Sequence, residues 1–483
     1  MKHLMLAAAL LLGAATSSRA QTTANLSHPA PDQVSIALLL TDGTVLAQGM
    51  GGSDWWKLTP DINGSYVHGT WARQADLPSG YVPLYFASAV LADGRVVVAG
   101  GEYNDFQFAF IDTCVIYDPL SNKWKKIKPP AKWHFIGDSP SAVLPNGSFL
   151  LGRKFDKRIA VLNPSTLTWT ELRFTGKKDF NAEEGWTLLP NGTVLTEDVK
   201  GAPNAEFYDP SAQIWTSTGA TPVDLAGPPT SGPIDYGHNK VYHPPGEIGP
   251  AMLRPDGTVF ATGDTPSGGN EGHTAIYTPG ANGSTGTWKA GPDFAPGDDS
   301  GDSFAALLPT GNVLVEAESG SLYEFDGTHL TKTKFATPGP LSGEGALLVL
   351  PTGEVLLGGD QVYRAAGTVN PAWAPTITSV PAELTRGKTY VVSGTQFNGL
   401  SQANAFGDEL ETATNYPLVR ITNAATSHVF YARTHDHSSM GVATGSAIIS
   451  TNFDVPAAAE TGASTLVVVA NGIASTATAV TIK

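Results

Sequence analysis

Residues 89–101 read AVLADGRVVVAGG: an apolar run, the dipeptide Asp93-Gly94, then a second apolar run. Asp-Gly between two such runs favours positive φ at both turn centres, the type I′ geometry of a tight hairpin. The flanks are apolar enough for both faces of the hairpin to be buried. The same phrase recurs as LLLTDGTVLAQG (Asp42, Gly43), AVLPNGSFLLG (Asn146, Gly147) and TLLPNGTVLTE (Asn191, Gly192). It returns as MLRPDGTVFATG (Asp256, Gly257), ALLPTGNVLVEA (Thr310, Gly311) and LVLPTGEVLLGG (Thr352, Gly353). Successive turns lie 51, 53, 45, 65, 54 and 42 residues apart.

A companion phrase falls between the hairpins. VIYDPLSNKW, AVLNPSTLTW and EFYDPSAQIW each carry a Trp six residues after an Asp or Asn, at Trp124, Trp169 and Trp215. AIYTPGANGSTGTW, ending at Trp288, is a longer copy. Each reads as strand, Pro-containing turn, and a strand whose Trp packs between neighbouring sheets. Two hairpins per period make a four-stranded unit, and a period near ~50 residues is that of kelch repeats. The fold expected is all-β: a seven-bladed kelch-type β-propeller over residues 30–374. Beyond Ala374-Pro375 the phrase stops. Residues 376–483 read as short alternating strands of an immunoglobulin-like β-sandwich, and GKTYVVSGTQF resembles the E-set/TIG class.

Composition narrows the function. Only 15% of residues are charged, against ~25% in an average soluble protein, so long salt-bridged helices are not expected. The net charge of −15 argues against nucleic-acid binding and against docking on anionic membranes. With the single cysteine Cys114, no disulfide forms within the chain. Met1-Lys2-His3, the apolar run Leu4 to Ala15, and Ser18-Arg19-Ala20 make residues 1–20 a signal peptide cleaved near Ala20. No later stretch is apolar enough to span a bilayer. The expectation is a secreted or periplasmic monomer, and an exported chain without disulfides leans towards a bacterial periplasm or exterior. The sequons at Asn146 and Asn191 read as turn residues.

Propeller sites lie near the axis, where the first strand of each repeat is expected innermost. Counting eight residues back from each turn gives Val34, Tyr85, Asp138, Glu183, Ile248, Asp302 and Glu344, with Glu247 beside Ile248. Carboxylates converging on one axis repel each other and need a cation, raised pKa values or backbone N–H donors. Three readings stay open: caps that tie blades together, a site for Ca²⁺, Mn²⁺ or Mg²⁺, and acid–base chemistry. The insert Thr216–Pro250 adds Asp235, Tyr236, His238, Tyr242 and His243 as a candidate wall. His435 and His437, one residue apart, would face the same way on a strand and form half of a metal site.

Signal peptide, seven kelch-type repeats and E-set domain together resemble the galactose oxidase and glyoxal oxidase family over nearly the whole mature chain. The resemblance implies copper held by two tyrosines and two histidines, with one tyrosine thioether-linked to a cysteine. LYFASAVLADGRVVVAGG is similar to the family strand carrying that tyrosine, which puts Tyr85 in its place. Val34 stands where the resemblance implies the cysteine, and Cys114 lies in the outer IDTCVIYDP strand. Glu247-Ile248 replaces the Tyr-His pair, and Tyr242-His243 comes five residues too early. Thr434-His435 through Met440 resembles the last histidine's loop with one residue extra, and Ser427-His428 is a rival match. Copper is therefore disfavoured. The expected function is binding of a carbohydrate or other small extracellular ligand at the carboxylate-lined face. The alternatives are a metal-assisted or acid–base enzyme acting on carbohydrate, and a structural or adhesion scaffold.

Overall fold

The computed structural model describes residues 20–229, 232–235, 241–281, 284–338, 345–407 and 411–483, with backbone alone for Ile234, Asp235 and Tyr242. Residues 1–19 of the expected signal peptide, Tyr236, His238 and Glu344 lie outside the described residues. The class is all-β, as the repeats imply. Each of the seven turn phrases opens an antiparallel sheet, and in six of the seven the four strands follow one another in chain order. Sheet I holds Val34–Leu39, Val45–Gly49, Trp55–Thr59 and Thr70–Arg73. Sheet II holds Ala87–Val90, Val96–Ala99, Cys114–Asp118 and Lys123–Ile127, and sheet III holds Ser141–Val143, Phe149–Gly152, Ile159–Asn163 and Thr168–Leu172. Sheet IV runs through Thr187–Leu188, Val194–Glu197, Asn204–Asp209 and Ile214–Ala220. Sheet V runs through Ala251–Leu253, Val259–Thr262, Thr274–Thr278 and Thr287–Ala290. Sheet VI comprises Ala305–Leu307, Val313–Glu316, Ser321–Phe325 and Leu330–Ala336. Sheet VII comprises Leu347–Val349, Val355–Leu357 and Gln361–Arg364, and its outer strand is the chain's own start, Thr22–Asn25, paired Thr22 to Arg364.

The first two strands of every sheet are buried on both faces, which is why their sequences are apolar without alternation. First strands of neighbouring sheets pack side by side, I on II, II on III, IV on V, V on VI, VI on VII, and VII back on I. The companion-phrase tryptophans stack on the preceding strand: Trp124, Trp215 and Trp288 lie 4.9, 5.1 and 4.9 Å from Tyr117, Tyr208 and Tyr277. Trp124 also reaches Trp55 of sheet I, 5.1 Å away.

One expectation about the turns is corrected. Only the glycine takes positive φ, 76° at Gly43 and 83° at Gly94. Gly43 N–H donates to Leu40 O, and Leu40 N–H to Thr44 O, so a type I turn is followed by a left-handed glycine rather than a type I′ turn. The Asp or Asn is chosen for its side chain: Asp42 Oδ1 accepts from Thr44 N, Asn146 Oδ1 from Ser148 N and Asn191 Oδ1 from Thr193 N.

The strands after residue 375 form a further mixed sheet around its own core of Leu384, Val392, Phe397, Ile421, Phe453 and Leu466. Two described parts of this region, Ser401–Gly407 and Glu411–Tyr416, leave it and enter among the first strands. Asn404–Ala405 adds a strand to the edge of sheet VI, pairing with Ala305 and Ala306. Leu188 N donates to Gln402 Oε1 at 2.6 Å, Val349 N to Asn404 Oδ1 at 2.8 Å, and Ser88 Oγ to Glu411 O at 2.9 Å. The Gln402 and Asn404 side chains thus serve backbone N–H groups that the first strands' inner edges leave open. No helix among the described residues is long and apolar enough to cross a membrane.

Candidate functional site

Within each sheet the start of the first strand and the end of the second lie at the same end, because the two are antiparallel. Backbone bonds join these ends from sheet to sheet: Gly101 N to Gly137 O, Asn181 N to Asp156 O, Ser300 N to Gly263 O and Asp302 N to Ile248 O. The site is built here, around Lys154.

Lys154 follows the second strand of sheet III and is held by its N–H bonding to Ile136 O. A Cβ on Gly137, whose φ is 81°, would come 3.1 Å from Lys154 Cβ, so a residue without a side chain lets the lysine lie flat at this joint. The lysine side chain is only 2% exposed. Its ammonium pairs at short range with Asp138 Oδ2, at 2.7 Å with Glu183 Oε1, and at 3.7 Å with Glu102 Oε1. The ring of Phe110 lies 5.5 Å beneath it. Asp138 and Glu183 are 5% exposed and Glu102 is 19%, so Glu102 forms the group's solvent edge. Burial pushes the Glu102 carboxyl up, Lys154 pulls it partly back, and Glu183 pushes it up again.

Three of the positions counted from the turns share an uncommon backbone. Tyr85, Glu183 and Asp302 have φ of 53°, 55° and 48°, in the left-handed region. A non-glycine residue there costs about 1–2 kcal/mol, and strain of this kind gathers at functional sites. Glycine would hold the same backbone without that strain.

An aromatic wall rises beside Glu102. Tyr103–Asn104 pairs with Gln107–Phe108 in a small hairpin whose turn residues Asp105 and Phe106 both have positive φ. Ring centroids step 6.0 Å from Tyr85 to Tyr103, 5.5 Å on to Phe108, 4.2 Å to Phe110 and 4.4 Å to Phe155. The ladder is open to solvent at Phe108, 40% exposed, and buried at Phe155 and at Phe110, under Lys154. Tyr103's hydroxyl pKa is raised by burial, then by Glu102, Asp138 and Glu247, which brings Glu247 within reach of the group.

The remaining candidates are placed as follows. Asp302 and Ile248 meet through the backbone near Gly407, whose added Cβ would lie 2.2 Å from Ile248 O. His243 is exposed, after the short strand Val241–Tyr242. His435 ends the strand Val429–His435, with Nδ1 2.7 Å from Asp436 and Nε2 3.3 Å from Asp454. Asp436 turns left-handed with φ 53°, so His437 points elsewhere. It is buried, bonds Thr451 Oγ1 at 2.8 Å and stacks on Tyr416, and burial pulls it down to about 3.

Glu102 and Lys154, the hub of the site, were not among the sequence candidates. Their signal is the mirror of the one used there. Eight residues after the turn's first residue stand Lys154, Asp264, Glu318 and Asp360, with Glu102 and Asp198 one position off. These residues follow the second strands and form a second charged series. A second buried lysine, Lys177, holds both oxygens of Glu184 at 2.7 Å and Glu206 at 3.0 Å. Burial opposes its charge, but Glu184, Glu206 and Asp198 more than offset this and keep Lys177 protonated.

No protein-family model matches the chain, and no curated protein matches it in sequence. Among solved structures it is similar to a fungal alcohol oxidase of the AA5 family in complex with copper. That likeness has a TM-score of 0.52 and 14% identity, covering 96% of this chain and 99% of the oxidase. It is also similar to virginiamycin B lyase from Staphylococcus aureus, with a TM-score of 0.45 and 12% identity over 71% of this chain and 97% of the lyase. The first likeness establishes a fold shared with an AA5 oxidase, and the fold alone.

Copper can be tested against the donors present. Around Lys154 the described donors are carboxylates, phenols and an ammonium, with neither imidazole nor thiol among them. Cys114 is buried in the third strand of sheet II, its Sγ against Asp112 O at 3.7 Å, and burial raises its thiol pKa. Copper favours nitrogen and sulfur ligands, whereas carboxylate oxygens suit Ca²⁺, Mg²⁺ or Mn²⁺. The described residues do not fit a copper centre, and no chemistry is derived through one.

Proposed function

We propose that this chain is an exported binding protein whose Lys154-centred face takes a carbohydrate. In this reading the seven sheets are the blades of a kelch-type propeller spanning about residues 30–374. The C-terminal sheet is an E-set domain, 376–483, that sends Ser401–Gly407 back towards the axis. Six first-strand contacts, including that of sheet VII back on sheet I, and the closure of sheet VII by Thr22–Asn25 support the propeller.

The observation that carries the binding reading is the pairing of Glu102, at the solvent edge of a buried lysine–carboxylate group, with the half-buried ring of Tyr103 and the exposed ring of Phe108. Sugar hydroxyls donate to carboxylates, and the C–H faces of a sugar ring cover aromatic surface. Lys154 is the internal counter-ion that lets three carboxylates coexist without a metal. The test is a glycan array probed with wild type, Tyr103→Ala and Phe108→Ala. Wild type is expected to capture one class of oligosaccharide, and each variant to lose about tenfold in affinity, or 1.4 kcal/mol.

One observation favours acid–base catalysis as a second reading. Glu102 has its carboxyl raised beside a second carboxylate, Glu183, the environment that tunes a general acid. Glycoside cleavage abolished in Glu102→Gln with binding retained would favour catalysis over binding alone.

A further inference from the structure

On the far side of the same charged series, Asp264, Asp299 and Glu318 each offer a carboxylate oxygen, and these oxygens lie within 4.8 Å of one another. Two oxygens that each stand about 2.4 Å from one ion are at most about 4.8 Å apart, the spacing of a calcium shell. The three residues sit at the joint of sheets V and VI. Asp264 follows Val259–Thr262, Glu318 follows Val313–Glu316, and Glu318 N–H donates to Asp299 O at 3.1 Å.

An acidic cluster alone is no site, but here the hydrogen bonding is incomplete. Asp264 is nine-tenths buried, and its Oδ1 takes the Thr265 N–H. Its Oδ2 lies where a Cβ on Gly227 would be 1.6 Å away, and no described residue donates to it. Asp299 Oδ2 accepts from Thr265 Oγ1 at 2.5 Å, while Asp299 Oδ1 is buried without a partner. Neither aspartate forms an ion pair among the described residues. Two carboxylates in contact, each with an oxygen lacking a donor, need a cation or a shared proton.

We propose that Asp264, Asp299 and Glu318 hold a divalent hard cation, calcium in the first instance, that ties sheet V to sheet VI. Exposed Glu318 leaves one side open, where water completes the shell. The proposal is independent of carbohydrate binding at Lys154. The contrast with Asp179, Glu184 and Asp198 supports it, because that equally crowded trio already has the Lys177 ammonium among its carboxylates.

The test uses the full mature chain stripped with chelator and titrated with CaCl₂, then MnCl₂ and MgCl₂, by calorimetry and thermal unfolding. Wild type is expected to take up stoichiometric Ca²⁺ with a rise in Tm of a few degrees. Asp299→Asn, whose amide donates to Asp264, is expected to keep its Tm in chelator but lose the uptake. The exposed substitution Glu318→Gln should fold in any case and weaken Ca²⁺ about tenfold, as loss of one charged ligand does. Asp198→Asn should leave uptake unchanged. No uptake of any of the three ions by wild type would overturn the site in favour of a shared proton, and so would uptake surviving both Asp299→Asn and Glu318→Gln.

Discussion

Lys154 and Lys177 each lie at the centre of buried carboxylates, whereas Asp264 and Asp299 lie against each other with no ammonium of the described residues between them. All three groups occupy the same level of consecutive sheets and draw on the same charged series after the second strand. What differs is the cation. In sheets III and IV the chain supplies it as a side chain, although Asp198 Oδ1 in the Lys177 group is still buried without a hydrogen-bond partner. At the joint of sheets V and VI it supplies only oxygens. A charged pocket completed from within can turn a carboxylate such as Glu102 outward to a ligand. One left incomplete must take its cation from solvent.

The largest effect that can break this comparison comes from removing the internal cations. Lys154→Met and Lys177→Met each leave carboxylates buried without a counter-charge and are expected to cost about 3–5 kcal/mol. Urea unfolding measures this, and a loss below 1 kcal/mol would mean that the lysines are not the counter-ions. Next comes the aromatic edge. Phe108→Ala removes a ring that is already 40% exposed, so it should leave Tm within a few degrees while weakening oligosaccharide binding about tenfold. An equal loss of stability and binding would make the ring structural.

A smaller effect is read from pH. Burial pushes Glu197 up to about 8, so the folded chain keeps a proton that an unfolded carboxyl, near ~4.3, has released. Stability therefore falls as pH rises from about 4.3 to 8, because the folded state binds more protons over that window. Asp198, raised to about 7 by burial, and Asp264 act with the same sign. Tm measured between pH 5 and 8 is expected to decline, and Glu197→Gln to flatten part of the slope. A Tm that rises over this range would contradict the assignment. The smallest effect belongs to Asp264→Asn in chelator. Its amide replaces a carboxylate repulsion with a hydrogen bond, so stability should be unchanged or higher by up to about 1 kcal/mol.

The sheets were legible because a hairpin is local: residues 89–101 carry their turn and both strands within one phrase. The turn type was not. Asp42 and Asn146 are consistent with type I′, but their side chains bond forward to Thr44 and Ser148 and leave left-handed φ to the glycine alone. The entry positions Tyr85, Asp138 and Glu183 came from counting, and they gather at one group with Glu102 and Lys154. Lys154 itself sits in the run Arg153-Lys154-Phe155-Asp156-Lys157-Arg158, which reads as solvated surface charge, although its side chain is the buried one. Ser401–Gly407 could not be placed from sequence, because its pairing with Ala305 spans a hundred residues and has no local pattern.

The central claim is that the face edged by Glu102, Tyr103 and Phe108 binds carbohydrate. The direct measurement is a calorimetric titration of the oligosaccharide best retained on the array into wild type, Tyr103→Ala and a control variant, Phe207→Leu, in a groove lined by Asn191, Phe207, Ser211 and Gly257 beside the turns of sheets IV and V. The account predicts saturable binding by wild type, about tenfold weaker binding by Tyr103→Ala and unchanged affinity in Phe207→Leu. Binding that survives Tyr103→Ala undiminished, or that fails in Phe207→Leu instead, would contradict it.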